Sequence, residues 1–243
     1  MTMKPLDIFC ASIRRVDKLR AMIESVAKTN YPAHICVASG DLETVKLCEQ
    51  YPNLVDCVYN TQANARIGCT APLNHVYKSL VKHDALFCTD DCIFAHDALH
   101  IAMTTLYERF PQGDGVIGLA QENIPDGYPL AFPLFGRAFL DRFAHFGDIF
   151  FPGYFHLYND AEIGLTIACM GNWVFEPRAK LRHLHPECGG GEIDFTHHHA
   201  QTHKSRDQHV WANRRSLGIL WGIDEDPEDV APRYLEPLQG THA

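Results

Sequence analysis

The sequence predicts an α/β fold in which helices flank a mostly parallel central sheet. Through the first hundred residues, short apolar segments alternate with segments whose apolar residues recur at helical spacing. Several of the apolar segments run directly into small or acidic residues, as buried strands do where they meet a loop. This β-α-β alternation implies parallel strands joined by helical crossovers on both faces of the sheet.

The individual elements follow from local pattern. Residues 6–12 form a short apolar run that indicates a buried strand, and residues 16–28 have the apolar spacing of a helix. Tyr31-Pro32 ends this helix, because proline disfavours helical backbone in the residue before it. A strand followed by a helix is predicted over 133–146. The same criteria predict strands at 34–38, 54–59, 85–88, 115–120, 173–176 and 179–184, and helices at 42–50, 71–82, 97–109, 160–170 and near 205–217.

Composition limits the classes of function. The net charge is −9 with histidine neutral, which argues against a protein that mainly grips a nucleic-acid backbone. The nine cysteines follow no disulfide framework, so we expect reduced thiols and a cytoplasmic location. We find no transmembrane segment, since no apolar run approaches roughly 18 residues, and the N-terminal run is too short for a signal sequence. The unusual feature is histidine, with 15 copies.

Thr89-Asp90-Asp91 directly follows the predicted strand 85–88. In open α/β sheets, ligands bind beyond the carboxyl ends of the strands, and adjacent carboxylates there repel each other unless a cation is close. A hard divalent ion such as Mg²⁺ or Mn²⁺ would satisfy both and could hold phosphate oxygens. Taken alone, the motif is more often a turn with a helix cap.

Two further patterns place candidate groups after residue 150. Asp160 and Glu162 stand at the start of a predicted helix, where the helix dipole favours acids and where a carboxylate can also act as a general base. Strand alternation puts His183 and His185 on one face, from which one of them could ligate an ion held by Asp91. Without such an ion, we expect one of these histidines to be buried and the other exposed.

Five further histidines of the C-terminal part form a cluster at His197, His198, His199, His203 and His209. They could form a second metal site, a loop that contacts phosphate, or a solvated segment. Consecutive histidines in a regular helix or strand cannot all face one ion. We therefore expect a loop near the bound substrates rather than a dedicated zinc site.

The order of these motifs resembles that of family-two glycosyltransferases with the GT-A fold. The strand IFCAS, followed by Arg14 and then by HICVASGD, resembles the opening of such a domain, and LFCTDDCIF resembles its aspartate metal motif. FPGYFHLYNDAEIGLTIACMG resembles the acidic helix start of the family, and FEPRAKLRHLHP resembles the strand that returns a histidine to the metal. The similarity covers roughly residues 5–186.

The resemblance implies a metal-dependent transfer of a sugar from a nucleotide-diphosphate sugar, with uridine as the default base. Asp91 would be the main ligand of Mn²⁺ or Mg²⁺, and His183, or in second place His185, would be the returning ligand. Asp90 would support the metal or contact the ribose. A cation at this place suits the reaction, because the departing diphosphate carries negative charge.

The resemblance also implies the groups around the acceptor and the donor. Asp160 would deprotonate the acceptor hydroxyl for inverting attack, and Glu162 would orient the base or the acceptor. Asn159 stands where the family usually has glutamate, so Asp160 and Glu162 both remain candidate bases. Ser39 stands where the family often has an aspartate that contacts the nucleobase. The residues expected around the donor are Ala11, Ser12, Arg14, Ser39, Asp41, Arg66, Asn74 and Asp90.

By the same resemblance, residues 1–223 would form one GT-A domain. It would comprise a nucleotide-binding half (1–96), an acceptor half (97–186) and a histidine-rich extension (187–223), with an acidic tail at 224–243. The acceptor could be a glycan, a lipid-linked sugar or a modified nucleotide or DNA base, as in some phage enzymes. We expect acceptor specificity within 121–158, whose aromatics could stack on a sugar or base although most would be core: Tyr128, Phe132, Phe135, Phe150, Phe151, Tyr154, Phe155 and Tyr158.

Two other classes remain open at this point. A sugar nucleotidyltransferase can share the sheet and the metal motif, but it usually has a glycine-rich basic loop after the first strand, where this chain has Ser12-Ile13-Arg14-Arg15. A non-enzymatic, histidine-rich metal-binding protein would explain the histidines but not the ordered acidic motifs.

Overall fold

The computed structural model describes residues 3–59, 68–124, 129–143 and 147–223. The strands are β1 (Leu6–Ser12), β2 (Ala33–Ser39), β3 (Val55–Tyr59), β4 (Asp84–Phe87), β5 (Cys92–Phe94), β6 (Val116–Gln121), β7 (Pro133–Phe135) and β8 (Trp173–His183). The helices are α1 (Val16–Lys28), α2 (Leu42–Cys48), α3 (Thr70–Leu80), α4 (Ala98–Arg109), α5 (Arg137–Phe143), α6 (Asn159–Met170) and α7 (Phe195–Leu217).

The strands form one 8-stranded sheet in the order β3-β2-β1-β4-β7-β6-β8-β5. Strand β1 pairs in parallel with both β2 and β4, and β6 pairs in parallel with β8, whereas β7 and β5 run antiparallel to their neighbours. The chain thus builds outward from β1 to β3 and then crosses back to place β4 on the other side of β1. Ligands of open α/β sheets bind at such a reversal of strand order, beyond the carboxyl ends of the strands.

Both faces of the sheet are covered, as the continuous apolar runs of the first strands require. Alternation along β1 sends Ile8 and Cys10 into the core shared with α1 and α4, and Phe9 into the core shared with α3, α5 and α6. Full burial of one such aliphatic or aromatic side chain contributes about 1.5–3 kcal/mol. The two cores therefore hold β1 and β4, whose ends form the candidate site, in a fixed frame.

The predicted fold class is confirmed, and the first half follows the predicted order of elements. Two details were wrong. The two strands predicted at 173–176 and 179–184 form the single strand β8, whose pairing with β6 shifts register between Leu119 and Ala120 and so accommodates Pro177 without ending the strand. The predicted helix near 205–217 begins already at Phe195, so that the histidine cluster lies in α7 and not in a loop.

Helix α7 is anchored to the rest of the domain by buried charges. The carboxylate of Asp207, which is fully buried, accepts hydrogen bonds from the backbone N–H groups of Phe155, His156 and Leu157, each at 2.8 Å. Farther along the helix, Arg214 Nη2 lies 2.6 Å from Glu162 Oε1, with both side chains almost completely buried. These contacts fix α7 against the segment that leads into α6.

The glutamate of this ion pair has further partners. Its carboxylate also accepts a hydrogen bond of 2.6 Å from the Tyr154 hydroxyl and one of 2.8 Å from the Trp221 backbone N–H. Burial and the neighbouring Glu162 carboxylate raise the pKa of Tyr154 well above its ordinary value, so its hydroxyl remains a donor. Glu162 is therefore part of a buried network that binds α6 to α7.

None of the nine cysteines, all of which lie in the described residues, forms a disulfide. In the described parts of the chain, no helix combines the length and the apolar character that crossing a membrane requires.

We predict that Arg214→Met lowers the free energy of unfolding by about 3–5 kcal/mol, because it leaves the carboxylate of Glu162 buried without its cation. Urea unfolding of the variant and the parent measures this difference. The matched control is Lys78→Met, which removes a cation 2.7 Å from Asp148 that is 48% exposed, and should cost less than about 1 kcal/mol.

The double variant Glu162→Gln with Arg214→Met should recover much of the lost stability, since it removes the unpaired buried charge while the side-chain amide oxygen still accepts from the Tyr154 hydroxyl and the Trp221 N–H. Equal costs for Arg214→Met and Lys78→Met would contradict a structural role for the pair.

Candidate active site

A cavity of about 840 Å³ opens at the carboxyl ends of β1 and β4. Its floor includes Ala11 and Ser12 from the end of β1 and Asp90 and Asp91 just after β4. The first turn of α6, the end of β8 and the first turns of α7 form its other walls. Gly68 lies at its edge with φ +66°, and a Cβ there would come within 1.8 Å of the Phe155 carbonyl oxygen, so this close approach requires glycine. The cavity therefore lies at the reversal of strand order.

The aspartate pair is placed by the parallel register of β1 and β4. Both side chains are almost completely buried, with exposures of 2% for Asp90 and 1% for Asp91. The Ser12 hydroxyl donates to Asp90 Oδ2 at 2.7 Å, and the Thr89 hydroxyl donates to Asp91 Oδ1 at 2.7 Å. Two adjacent carboxylates in so little water need positive charge nearby.

Arg15, at the start of α1, supplies that charge. Its Nη1 lies 2.5 Å from Asp90 Oδ1, its Nη2 lies 2.6 Å from Asp91 Oδ2, and its Nε lies 2.9 Å from Asp194 Oδ2. Lys18, one turn later on α1, donates to the same Asp194 oxygen at 2.9 Å. One guanidinium thus connects the end of β4 to the residue that precedes α7.

The two carboxylates of the pair differ in pKa. Burial raises the pKa of Asp90 to about 6, since this effect and the neighbouring charge of Asp91 together outweigh the lowering by Arg15. Burial opposes ionisation of Asp91 as well, but the hydrogen bond from His183 and the charge of Arg15 outweigh it and hold the pKa of Asp91 well below its usual range. Asp91 is therefore the firmly ionised member of the pair.

The β5–β8 pairing brings His183 to Asp91. Cys92 lies opposite His183 in the antiparallel ladder, and the Leu184 N–H donates to the Asp91 carbonyl at 2.9 Å. His183 Nε2 then lies 3.2 Å from Asp91 Oδ1. Although burial lowers the pKa of His183, its hydrogen bond to Asp91 outweighs this and raises it. Carboxylate and imidazole are thus in direct contact.

His185 lies in the same wall but does not contact Asp91 directly. Its ring packs 5.3 Å from that of His183 and 4.6 Å from that of His197, measured between centroids. Burial lowers the pKa of His185, and its Nδ1 accepts a hydrogen bond of 3.2 Å from the Glu187 N–H. Of the two histidines on the predicted face, His183 is the one beside the aspartates.

Asp160 faces the cavity from another wall. It lies in the first turn of α6, after Tyr158 in the left-handed region with φ 69°, an unusual conformation for a bulky residue that turns the chain into the helix. One of its oxygens accepts from the Ala161 N–H at 2.9 Å. Burial raises the pKa of Asp160 above its ordinary value. The structure thus holds a carboxyl with weakened acidity in the same cavity as the aspartate pair.

The first turn of α7 closes the cavity. Asp194 caps the helix by accepting from the N–H groups of Thr196 and His197, and the His197 side chain accepts from the Asp194 N–H in return. The expected loop is therefore a capped helix, but its predicted place beside the cavity is correct for His197, His198 and His199, which line it. Two apolar side chains at this edge, Ile193 and Phe195, are 65% and 40% exposed.

The structure brings together seven of the predicted site residues in the lining of the cavity: Ala11, Ser12, Asp90, Asp91, Asp160, His183 and His185. It does not bring Glu162 there, because this glutamate is held in the buried pair with Arg214. Arg66 lies outside the described residues. The other predicted donor-binding residues have structural contacts instead.

Asn74 braces α3 against the segment before α6, since its amide donates to the Phe150 carbonyl at 2.8 Å and accepts from the Phe150 N–H at 2.9 Å. Asp41 caps α2 by accepting from the Thr44 N–H at 2.8 Å and also accepts from the Arg14 N–H at 2.8 Å. Ser39 donates to the Asp41 carbonyl at 2.9 Å.

Arg14 lies outside the cavity lining, and of the predicted acceptor aromatics that the structure describes, Phe132 and Tyr158 line the cavity and the others do not. The Arg14 guanidinium lies 4.7 Å above the ring of Phe195 and not beside the aspartates. Of the eight aromatics expected to include acceptor contacts, Tyr128 lies outside the described residues and Tyr158 packs on Trp211. The others are buried and belong mainly to the core: Phe132, Phe135, Phe150, Phe151, Tyr154 and Phe155.

Sequence reasoning missed Arg15, Lys18 and Asp194. The signal available for Arg15 was its place directly after β1, where a cation lies close to any anion at the end of β4. Nothing local distinguishes it from Arg14, since only the backbone conformation of the connection decides which arginine turns inward. Asp194 is separated from Arg15 by 179 positions, and its capping pattern alone gives no hint of that partner.

The donor set at the aspartates suits a divalent cation in kind. A carboxylate and an imidazole are in contact there, which are ligands that Mn²⁺ accepts. The cavity lining carries four carboxylates and two fixed cations, which are Asp90, Asp91, Asp160, Glu187, Arg15 and Lys204. Within the described residues, however, no three His, Cys, Asp or Glu side chains are arranged to hold an ion. The residues therefore fit a metal ion by charge and by ligand type, while the guanidinium of Arg15 forms ion pairs with both carboxylates.

No protein-family model matches the chain, and no curated protein matches it. Solved structures do. The structure of S. aureus TarS residues 1–349 superposes with a TM-score of 0.59 at 16% identity, covering 76% of this chain and 61% of that one. The same protein with UDP-GlcNAc gives a TM-score of 0.58 at 14% identity, covering 77% and 61%. With UDP it gives 0.58 at 15% identity, covering 70% and 57%.

The matched region thus spans about three fifths of TarS 1–349, and at this level of identity the likeness concerns the fold alone. TarS is a glycosyltransferase of the GT-A type. The order of strands, the reversal between β1 and β4 and the agreement with TarS together show that this chain has a GT-A-type fold.

Proposed function

We propose that this protein is a metal-dependent glycosyltransferase that moves a sugar from a nucleotide-diphosphate sugar to an acceptor hydroxyl with inversion. The observation that carries the proposal is one cavity with two separate acidic stations, Asp90-Asp91 after β4 and Asp160 at the start of α6. Two carboxylate sites with different partners suit the two tasks of the reaction, which are to balance the leaving group and to accept a proton.

The donor would lie along the carboxyl ends of β1 and β4. Ala11 and Ser12 line this side, and the Ser12 hydroxyl is held by Asp90, so the edge is preorganised. Support for a uridine nucleotide comes from the structural neighbour TarS, which has been solved with UDP and with UDP-GlcNAc. We therefore place the nucleoside diphosphate beside Ser12 and the aspartates.

Asp91 and His183 would hold Mn²⁺ or Mg²⁺, with His185 in the adjoining wall. When bound, the ion would neutralise charge that develops on the departing diphosphate. Such a cation is electrostatically favourable, because the cavity lining has more carboxylates than fixed cations and a diphosphate adds further negative charge.

Asp160 would take the proton of the acceptor hydroxyl. Its raised pKa makes it a stronger base than an exposed aspartate, and within the described residues no ion pair neutralises it. Attack by the hydroxyl on the face opposite the leaving group inverts the anomeric carbon. Glu162 would act only indirectly, since its pair with Arg214 fixes the helix that carries Asp160.

The acceptor would enter where α6 and α7 face each other. The exposed side chains of Ile193 and Phe195 at this edge would contact an acceptor with an apolar or ring surface. A glycan, a lipid-linked sugar and a modified nucleotide all have such a surface.

Nine cysteines without a disulfide suit a reducing compartment, which supports the cytoplasm as the place of the reaction.

The proposal predicts that UDP together with Mn²⁺ raises the melting temperature. A ligand at 100 times its Kd stabilises the native state by about 2.7 kcal/mol, which corresponds to several degrees for a chain of this size. Differential scanning fluorimetry with a panel of nucleoside diphosphates, with and without Mn²⁺ or Mg²⁺, measures the shift. Asp91→Asn should abolish the metal-dependent part.

The control is Asp56→Asn, which changes a carboxylate on β3 that is 62% exposed and forms its ion pair with His34, away from the cavity lining. A protein in which histidines alone bind metal would instead respond to Zn²⁺ without nucleotide. The absence of any metal-dependent shift with every nucleoside diphosphate would sink the transferase proposal.

Asp160→Asn is predicted to lower the rate of sugar transfer by about 10²–10⁴-fold, since it removes the proton acceptor and keeps an oxygen for the Ala161 N–H. Donor binding and the melting temperature should change little. The rate of transfer is measured as the release of UDP from UDP-sugars in the presence of a panel of glycan and nucleotide acceptors.

The matched control is Glu187→Gln, another acid of the cavity lining, but an exposed one for which we expect no more than a few-fold change. Retention of full activity by Asp160→Asn would show that another group accepts the proton.

A further inference from the structure

The side chain of Arg15 bridges the two carboxylates of the aspartate pair at the surface of the cavity. Its guanidinium bridges Asp90 and Asp91 through two different nitrogens and keeps its third contact, through Nε, for Asp194. At 9% exposure it is nearly buried, yet it lines the cavity and does not lie inside the core. It therefore stands between the two carboxylates and the space in which we place the donor.

Every oxygen of the two carboxylates has a partner within the protein. Asp90 accepts from Ser12 and Arg15, one at each oxygen. Asp91 accepts from Thr89 at Oδ1, where His183 also lies, and from Arg15 at Oδ2. A divalent ion can therefore reach Asp91 only if one of these contacts opens. The Arg15 contact is the one whose loss would not require the fold to change, since Arg15 has other anionic partners.

The remaining contacts determine where the freed guanidinium would stay. Asp194 holds Nε at 2.9 Å and is itself held by Lys18 at 2.9 Å, so the arginine would remain at the edge of the cavity. A planar guanidinium with several donors suits two phosphate oxygens as well as it suits two carboxylate oxygens. Its charge would then face an incoming diphosphate.

We propose that Arg15 is a resident cation that a divalent ion must displace from Asp91, and that the displaced guanidinium, still tied to Asp194, then binds the diphosphate of the donor. This inference rests on the proposed function and assigns a donor-binding role to Arg15, which the sequence pattern had given to Arg14. In this proposal the metal ion replaces Arg15 at Asp91, and Arg15 exchanges the carboxylate for the diphosphate, so metal binding and donor binding are coupled.

The test compares Mn²⁺ binding, in the absence of nucleotide, between the wild-type chain and Arg15→Gln. Free Mn²⁺ is counted by electron paramagnetic resonance during a titration. Removal of the competing cation should tighten Mn²⁺ binding by about tenfold, the equivalent of one hydrogen bond to a charged group. At saturating Mn²⁺, isothermal titration calorimetry should show that Arg15→Gln binds UDP more weakly than the wild type does.

Lys18→Gln is the matched control. It removes the same charge from the same helix, but Lys18 Nζ lies 3.9 Å from Asp91 Oδ2 and makes its short contact with Asp194 instead. If general electrostatics were responsible, both variants would tighten Mn²⁺ binding equally, and that result would overturn the proposal. We expect the effect of Lys18→Gln to be clearly the smaller one.

Unchanged or weaker Mn²⁺ binding by Arg15→Gln would also overturn the proposal, as would a lack of Mn²⁺ binding by both proteins. Tighter Mn²⁺ binding with unchanged UDP affinity would refute the diphosphate contact. Should Arg15→Gln fail to fold, Arg15→Lys replaces it, because a single ammonium cannot bridge both carboxylates as the fork does, and the same shifts are expected in smaller measure.

Failure of the proposed function gives a different result. In that case no variant binds UDP at saturating Mn²⁺ and no UDP-sugar is consumed, whereas the comparison of Mn²⁺ affinities without nucleotide still decides the competition at Asp91.

Discussion

A buried pair of adjacent carboxylates is the constraint around which the cavity is organised. Asp90 and Asp91 follow a strand that is covered on both faces, so their charge can be balanced only by groups that the fold brings to them. Arg15, in the β1–α1 connection, supplies the balancing positive charge and also forms an ion pair with Asp194. The same electrostatic requirement thus unites the first helix, the centre of the sheet and the start of the last helix.

A second set of buried charges gives the cavity its outer wall. Asp207 accepts three backbone N–H groups of the segment before α6, and Arg214 pairs with Glu162 on α6 itself. These contacts set the position of α6, and hence of Asp160, relative to α7. Polar groups therefore hold this wall of the cavity. Because each hydrogen bond has a preferred geometry, they determine the orientation of the two helices as well as stabilising them.

Segments with a strong apolar pattern could be predicted, and a segment that buries almost no apolar side chain could not. Strand β1 is apolar throughout because both of its faces are covered, and its predicted bounds are those of the structure. Helix α7 buries Ala200, Asp207, Val210 and Arg214 at helical spacing; two of these are charged, and only Ala200 lies before residue 205, so hydrophobic periodicity misses the first turns of the helix. The burial of the two charged side chains is explained only by the partners that they meet in the folded chain.

By itself, the sequence determined the alternation of strands and helices and the order of the acidic motifs, because these depend on local pattern. From that order come the GT-A-type fold and the gathering of Asp90, Asp91, Asp160 and His183 around one cavity. Only the tertiary structure decided which of equivalent residue types serves which purpose. Arg15 and not Arg14 turns to the aspartates, and Glu162 pairs with Arg214, 52 positions away, because a charged side chain is defined by the partner that packing brings to it.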